Sequence, residues 1–436
     1  MATLSAKHSP PREAIRARQL ASLRRLLAEI APTNRFYGPM LREARLDGHV
    51  ADLDEFTTRM PFTTKAAIVD DQHRHPPYGT NLTYTLERYS RFNQTSATSG
   101  APLRWLDTRE SWQWMLDNWK QVFRAAGVDA RDCVYFAFSF GPFLGFWTAM
   151  EAAAQLECLC IPGGGLSSAA RLEAMRANRA TILCCTPTYA QRLAEVAAEE
   201  RIDLSEFHVR KIIVAGEPGG SVPAVREAIE QRWSTAEVFD HHGMTEVGPV
   251  SYQCPEEPGT LMVIQDSYLA EIIDPATGRA VEPGQVGELV LTTLGRAGSP
   301  LLRYRTGDLV RENLAIADRY GRHELALAGG ILGRADDMIV VRGVNIYPGA
   351  VEEVIRSCAG VAEYRCEISR RRAMTEMLIR LEPTPAADGP ALAHELERRV
   401  QSRFSLRAQV SLCPPGSLPR FEMKARRWVL TSEDSP

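Results

Sequence analysis

The feature that most constrains this chain is an alternation. From about residue 90 onward, strand-like runs (VYFAFSF, LECLCIP, ATILCCTP, VRKIIVAGEP, AEVFDHHG) take turns with helical runs (SWQWMLDNWKQVFRAAG, AARLEAMRANRA, YAQRLAEVAAEE, PAVREAIEQRW). Strand and helix in rotation predict a mainly parallel sheet, because parallel neighbours need a crossover long enough to hold a helix. After His241 the pattern changes to short strands and turns: LMVIQDSYLAEIIDPATG, GQVGELVLTTLG and LLRYRTGDLVR. Asp274-Pro275-Ala276-Thr277-Gly278 is hairpin-turn chemistry, so an antiparallel subdomain is expected here. Beyond Gly333 the segments DDMIVVRG, PGAVEEVIRSCAG, EMLIRLEP and ALAHELERRVQSRF read as a small α+β unit with a basic end, PRFEMKARRW. The expected organisation is an α/β fold: a large N-terminal domain over residues 1–335 and a small C-terminal domain over residues 336–436.

Charge and composition narrow the function. Across 436 residues the formal net charge is −3, so there is no basic footprint for a nucleic acid and none is expected as a partner. Residues 133–150 (CVYFAFSFGPFLGFWTAM) carry no charge over eighteen positions, the lower limit for a membrane span, but Gly141 and Pro142 divide them. A buried strand-turn-helix unit is the better reading, and no membrane association is expected. The nine cysteines are odd in number and lie in mostly apolar text, which reads as buried thiols in a reducing compartment. No apolar stretch with a small-residue cleavage site opens the chain, so the expected location is the cytoplasm. Residues 12–30 form an amphipathic helix whose basic face reads as solvated.

The segment Asn93-Gln94-Thr95-Ser96-Ala97-Thr98-Ser99-Gly100-Ala101-Pro102-Leu103 sets four hydroxyls and a glycine after a strand, a composition that lets main chain approach a phosphate. It matches neither a Walker lysine loop nor a dinucleotide fingerprint, and alone reads equally well as a Ser/Thr-rich loop. Four further segments follow in order: Ala215-Gly216-Glu217-Pro218-Gly219-Gly220; Asp240-His241-His242-Gly243-Met244-Thr245-Glu246; Tyr304-Arg305-Thr306-Gly307-Asp308; and Gly333-Arg334-Ala335-Asp336-Asp337 leading into Arg342-Gly343-Val344-Asn345. With Pro419-Arg420-Phe421-Glu422-Met423-Lys424, the set resembles the adenylate-forming superfamily of acyl-CoA synthetases, luciferases and peptide-synthetase adenylation domains. Within it, the opening REAIRARQLASLRRLLAEIAPTNRFYGPMLREARL, the MPFTTK ending at Lys65, RGVNIYP and LPRFEMKARR resemble the phenylacetate-CoA ligase family over nearly the whole chain.

The resemblance implies an ATP- and Mg²⁺-dependent acid-thiol ligase that forms an acyl-adenylate and passes the acyl group to coenzyme A. By it, Lys424 matches the catalytic lysine that bridges carboxylate and α-phosphate, where charge develops. Thr245 matches the threonine bonded to the α-phosphate, and Glu246 the ligand of Mg²⁺, a hard cation suited to carboxylate oxygens. Thr95, Ser96, Thr98, Ser99 and Gly100 match the phosphate loop. Gly216, Glu217 and Pro218 match the turn against adenine, with Asp240, His241, His242, Gly243 and Met244 on the neighbouring strand. Asp308 matches the acceptor of both ribose hydroxyls and Arg334 a ribose or phosphate contact. Phe138, Phe140, Gly141, Pro142, Phe143 and Ala215 match the acyl pocket, Asp336 the hinge of a mobile C-terminal lid, and Arg342-Gly343 the coenzyme A channel.

Some positions depart from the family. Ala97 replaces the usual glycine, and His242 stands where tyrosine often lies on adenine, although a flat imidazole still stacks. Met262 occupies the histidine position of the zinc cluster that some members carry, and GRHELALAGG lacks its cysteine pair, so zinc is not expected. His241 and His242 are adjacent on a strand and point to opposite faces, so they are not read as sharing a metal. The aromatic pocket has no evident fixed charge, which suits an aryl, arylacetic or short branched apolar acid. Two other functions stay open: an acyl-AMP ligase delivering to a carrier-protein thiol or an amine, and a non-catalytic nucleotide-binding protein. A homodimer is left open.

Overall fold

The computed structural model describes residues 10–95, 102–138, 140–233, 236–337, 339–341, 344–371, 374–404, 406–421 and 427–431. Strands β1 (Tyr89–Gln94) and β2 (Arg104–Thr108) pair antiparallel and bracket the Ser/Thr-rich segment. Then come β3 (Cys133–Phe136), β4 (Leu159–Pro162), β5 (Ile182–Cys185), β6 (Lys211–Val214) and β7 (Glu237–Met244), all parallel to their neighbours. Helices Leu144–Gln155, Ser168–Ala177, Pro187–Glu199 and Pro223–Arg232 make the crossovers. β8 (Gly248–Gln253) and β9 (Thr260–Val263) extend the sheet antiparallel.

A second sheet follows, with β10 (Tyr268–Ile273), β11 (Val286–Thr293) and β12 (Tyr304–Arg311) antiparallel. β13 (Ala326–Ala328) returns to the first sheet, whose order becomes β13-β9-β8-β7-β6-β5-β3-β4, and β14 (Gly333–Arg334) closes the second against β12. The rotation of strand and helix read from the sequence is thus the parallel half of an eight-stranded sheet, and the turn-rich text is the antiparallel part.

The parallel strands are covered on both faces, which is why they read as continuous apolar runs. Successive residues alternate sides: Phe136 joins a core beneath helices Arg109–Ala125 and Leu144–Gln155, while Tyr135 joins one beneath the helices on the opposite face. The crossover helices start on local caps. Ser167 and Thr186 accept from the amides of Ala170 and Tyr189, and Pro187 sits at the first helical position, where no amide hydrogen is needed.

One element is shorter than the sequence suggests. The run VYFAFSF leaves the ladder after Phe136, where Gly163 N donates to Phe136 O at 2.8 Å and Ala137 N to Cys184 O at 3.0 Å. The aromatic pattern continues because Phe138 and Phe140 pack sideways on the first core, not because the strand goes on.

The C-terminal part has its own core. β15 (Ile339–Val341) and β16 (Val344–Ile346) form a hairpin, and β17 (Val361–Arg371), β18 (Met374–Pro383), β19 (Gln409–Leu412) and β20 (Trp428–Thr431) form a sheet of order β19-β18-β17-β20. Helices Pro348–Arg356 and Gly389–Phe404 complete the α+β unit. It touches the larger part where Arg420 meets Glu195 at 3.6 Å. Among the described residues no helix is long and apolar enough to cross a membrane.

Candidate active site

Because β3, β5, β6 and β7 are parallel, the segments that follow them leave one edge of the sheet, the position where open α/β sheets bind ligands. Phe138 to Phe143 follow β3, Ala215 to Pro218 follow β6, and His242 to Glu246 end β7 and its turn. Gly216 has φ +94°, a left-handed conformation that favours glycine, and the adjoining Glu217 carboxylate accepts from Thr188 N at 2.8 Å. Ser96, Ala97, Thr98, Ser99, Gly100, Arg342, Gly343 and Lys424 lie outside the described residues. The base of the first loop is fixed: Thr95 N donates to Leu103 O and Leu103 N to Thr95 Oγ1, each at 3.0 Å.

Three expected residues meet where the second sheet faces the end of β7. Asp308 and Arg334 are direct cross-strand partners on β12 and β14, and Arg334 Nη1 lies 3.2 Å from Asp308 Oδ1. His242 Nε2 lies 3.0 Å from the other carboxylate oxygen, Oδ2. Arg334 also grips Asp336 with two nitrogens, at 2.8 and 2.9 Å. Burial among these carboxylates pushes the Arg334 guanidinium further toward its charged form: desolvation opposes the charge, but Asp336 and Asp308 outweigh it.

Two expected residues are spent on the scaffold. Asp240 accepts from Ser221 Oγ at 2.5 Å and His241 N at 2.9 Å, so one oxygen holds the chain beside Gly220 and the other its own strand. Burial pushes the Asp240 carboxyl up. His241 turns away from His242, onto the Trp119 ring at 4.2 Å, and its Nδ1 bonds Ser251 O at 2.6 Å. Burial lowers its pKa to about 3, so it is neutral at physiological pH. The opposite-face geometry expected for adjacent strand residues is observed.

Glu246 is buried, and Lys65 Nζ stands 3.6 Å from its Oε1. Lys65 arrives there because Thr63 bridges to Tyr304 beside β12, and Thr64 caps the helix Lys65–Arg74 that begins at Lys65. The carbonyls of Thr245 and Glu246 accept from one nitrogen of Arg296, at 3.0 and 2.6 Å. In the sequence Lys65 stands out only as the end of MPFTTK, and nothing local singles out Arg296. Among the described residues no three His, Cys, Asp or Glu side chains cluster to hold an ion. The buried Glu246 carboxylate is a hard oxygen donor of the kind that would suit Mg²⁺, a cation that keeps waters and shares phosphate oxygens.

In the aromatic loop, the Phe140 and Trp147 rings meet edge to face at 5.0 Å. Trp147 Nε1 donates to Gly141 O at 2.9 Å, and Gln94 N to Pro142 O at 2.8 Å. Two consecutive carbonyls thus tie the loop to helix Leu144–Gln155 and to the end of β1. Trp147 was another omission of the sequence reading; its place one helical turn after Phe143 was the signal.

Known proteins resemble this chain in sequence and fold. A family model described as AMP-binding enzyme matches residues 95–296, and one described as AMP-binding enzyme C-terminal domain matches residues 343–430. The chain is 30% identical to a phenylacetate-coenzyme A ligase of Thermus thermophilus over 96% of this chain and 97% of the relative. It is 31% identical to one from Aromatoleum evansii over 87% and 85%. The crystal structure of a 2-hydroxyisobutyryl-CoA ligase in its postadenylation state superposes with TM-score 0.91 at 28% identity, over 99% of this chain and 94% of that one. In its thioesterification state the same ligase superposes at 0.73, so the arrangement described here resembles the postadenylation one.

Fold and comparisons together define an AMP-forming acid-thiol ligase. The chain belongs to the phenylacetate-coenzyme A ligase family.

Proposed function

We propose that this enzyme joins an apolar carboxylic acid, foremost an aryl or arylacetic acid, to coenzyme A by way of an acyl-adenylate formed from ATP. The reading is supported most directly by the linked cluster His242, Asp308, Arg334 and Asp336, which sets a nucleotide-facing carboxylate beside the start of the C-terminal part. A carboxylate is a poor electrophile with a poor leaving group; adenylation supplies a better one.

In this reading Asp308 accepts from the ribose, His242 lies on adenine, and Gly216, Glu217 and Pro218 border the other side. Thr245 bonds the α-phosphate and Glu246 holds Mg²⁺, which when bound screens the phosphate charges. Ser96, Thr98, Ser99 and Gly100 wrap the outer phosphates, and Lys424 bridges the two anions that must react. The rings of Phe138, Phe140 and Phe143 receive the acid, for which edge-to-face contact favours an aromatic group. The chain divides near Asp336 into a domain over residues 1–335 and a lid over 336–436. Rotation about Asp336 then exchanges the lysine for the Arg342-Gly343 channel. The nine free cysteines support a cytoplasmic location.

Pyrophosphate release with ATP, Mg²⁺ and a panel of aryl, arylacetic, short branched and 2-hydroxy acids, each with and without coenzyme A, tests the reading. Release dependent on an aryl acid, with thioester formed only when coenzyme A is present, is the expected result. Preference for a short branched acid would overturn the aryl assignment, and release without thioester would overturn the acceptor.

A further inference from the structure

Arg296 and Asp107 form an ion pair in which neither side chain has any exposure to solvent. Arg296 Nε and Nη2 each lie 2.7 Å from one Asp107 oxygen, the planar fork matched to a carboxylate. Its remaining nitrogen, Nη1, reaches the carbonyls of Thr245 and Glu246 at 3.0 and 2.6 Å, and the guanidinium lies over the Trp105 ring. The three segments so joined are far apart in the chain. Asp107 is on β2, the strand that returns from the Ser/Thr-rich loop; Thr245 and Glu246 follow β7; Arg296 is on the connection between β11 and β12. That connection is fastened again where Gly298 N meets Ser111 Oγ at 3.1 Å and Ser299 Oγ meets Leu106 O at 2.7 Å.

A fully buried ion pair is a poor device for stability, because desolvation offsets most of its attraction and apolar replacements are often neutral. Its geometry suits registration better. We propose that the Arg296–Asp107 pair is a positioning clamp: it locks β2 to the Thr245-Glu246 backbone, so that the two residues read as facing the α-phosphate and the metal keep one register against the strand pair beside them. The proposal rests on the reading of Thr245 and Glu246 given above. Arg296 touches no reacting atom and acts through their carbonyls.

The test compares three variants with the parent: Asp107→Leu/Arg296→Leu, which removes both charges together; Arg296→Lys, which keeps a charge but not the fork; and Glu246→Gln. Thermal unfolding checks folding, titration calorimetry gives the dissociation constant of ATP with and without Mg²⁺, and pyrophosphate release gives kcat and KM for ATP and acid. The clamp variants should fold, lose roughly 10²-fold in kcat, the scale of a slight misplacement of reacting groups, and lose most of the Mg²⁺ enhancement of ATP binding, with the KM for acid unchanged. Should the double variant not fold, Arg296→Lys carries the same expectations. A folded clamp variant with parental kcat and parental Mg²⁺ effect, beside an impaired Glu246→Gln, overturns the clamp and leaves the site reading intact. A rise in acid KM matching that for ATP also overturns it, since the pair would then be a general support. If Glu246→Gln itself keeps the Mg²⁺ effect, the reading of Glu246 falls and the clamp falls with it.

Discussion

His242 Nε2 stands 3.0 Å from Asp308 Oδ2, and Arg334 Nη1 stands 3.2 Å from Oδ1 of the same carboxylate. An ionised carboxylate offers about four lone-pair sites, so Asp308 accepts from both neighbours and still has capacity for ribose hydroxyls. The bond to Asp308 also fixes the plane of the imidazole. At this position the side chain is therefore a flat ring held by the acceptor expected to hold the sugar, and on the proposed reading the two nucleotide contacts are coupled.

That coupling separates two substitutions. His242→Ala removes the ring, and the loss of a base-stacking surface, worth roughly 1–3 kcal/mol, should raise the KM for ATP about tenfold. His242→Phe keeps a flat surface and leaves Asp308 Oδ2 wholly to the ribose, so its KM for ATP should stay within about twofold of the parent. Steady-state kinetics at saturating acid checks both. Equal losses in the two variants would show that the imidazole hydrogen bond, not the ring, matters.

Asp336 holds Arg334 with both carboxylate oxygens, and Arg334 in turn holds Asp308. The residue matched to the hinge is thus braced against the Arg334–Asp308–His242 cluster in the arrangement that resembles the postadenylation state. Proline at position 336 fixes φ and removes both the carboxylate and an amide. Asp336→Pro should impair thioester formation more than adenylation, measured as separate half-reactions in single-turnover experiments. Equal losses in both would contradict a hinge at this residue.

How far the sequence could be read depended on the range of the interactions. Strand and helix alternate locally, so the parallel sheet was legible, and so was the opposite facing of His241 and His242. The strand read in VYFAFSF overshot because Phe138 and Phe140 are apolar for a different reason, packing beyond the end of the ladder. Arg296 was not legible: in GRAGSP it looks like a solvated charge in a turn. Its partner Asp107 is distant in the chain, and only the folded sheets bring the two together. Lys65 was hidden likewise, as the first residue of a helix whose neighbour Glu246 belongs to another element.

His241 supplies a pH dependence. Its folded pKa, lowered by burial to about 3, lies below the unfolded value near 6.5. Between these values the unfolded chain binds a proton that the native one does not, so stability falls as pH falls through this window, by roughly 1.4 kcal/mol per unit from this residue. His241→Gln has no such proton to gain. Urea unfolding at pH 7.5 and pH 5 should show a smaller loss of stability for the variant than for the parent; parallel losses would mean that other groups dominate.

Lys424→Ala tests the assignment made through LPRFEMKARR. Removal of one preorganised charge stabiliser lowers rates on the order of 10²–10³-fold, and adenylate formation should fall by at least that much. Hydrolysis or thiolysis of preformed adenylate should change little, because the lysine serves the first half-reaction. A parental rate of adenylation would remove Lys424 from the catalytic set.

Trp147 tests the pocket. Its indole nitrogen holds Gly141 O at 2.9 Å while its ring meets Phe140 edge to face at 5.0 Å, so one side chain sets both the backbone and a wall of the aromatic loop. Trp147→Phe keeps a ring against Phe140 but leaves the Gly141 carbonyl without its donor, a loss of about 1 kcal/mol, and the KM for the acid should rise roughly fivefold. Trp147→Ala also removes the wall, so bulkier aryl acids should gain relative to the parent's preferred acid. The KM for ATP is the internal control. Pro142 O is held independently by Gln94 N at 2.8 Å, so the end of β1 that leads into the Ser/Thr-rich segment keeps its own tie to the aromatic loop. ATP binding should therefore be unchanged in Trp147→Phe, and a rise in both constants together would mean that the indole supports the whole sheet edge rather than the acid.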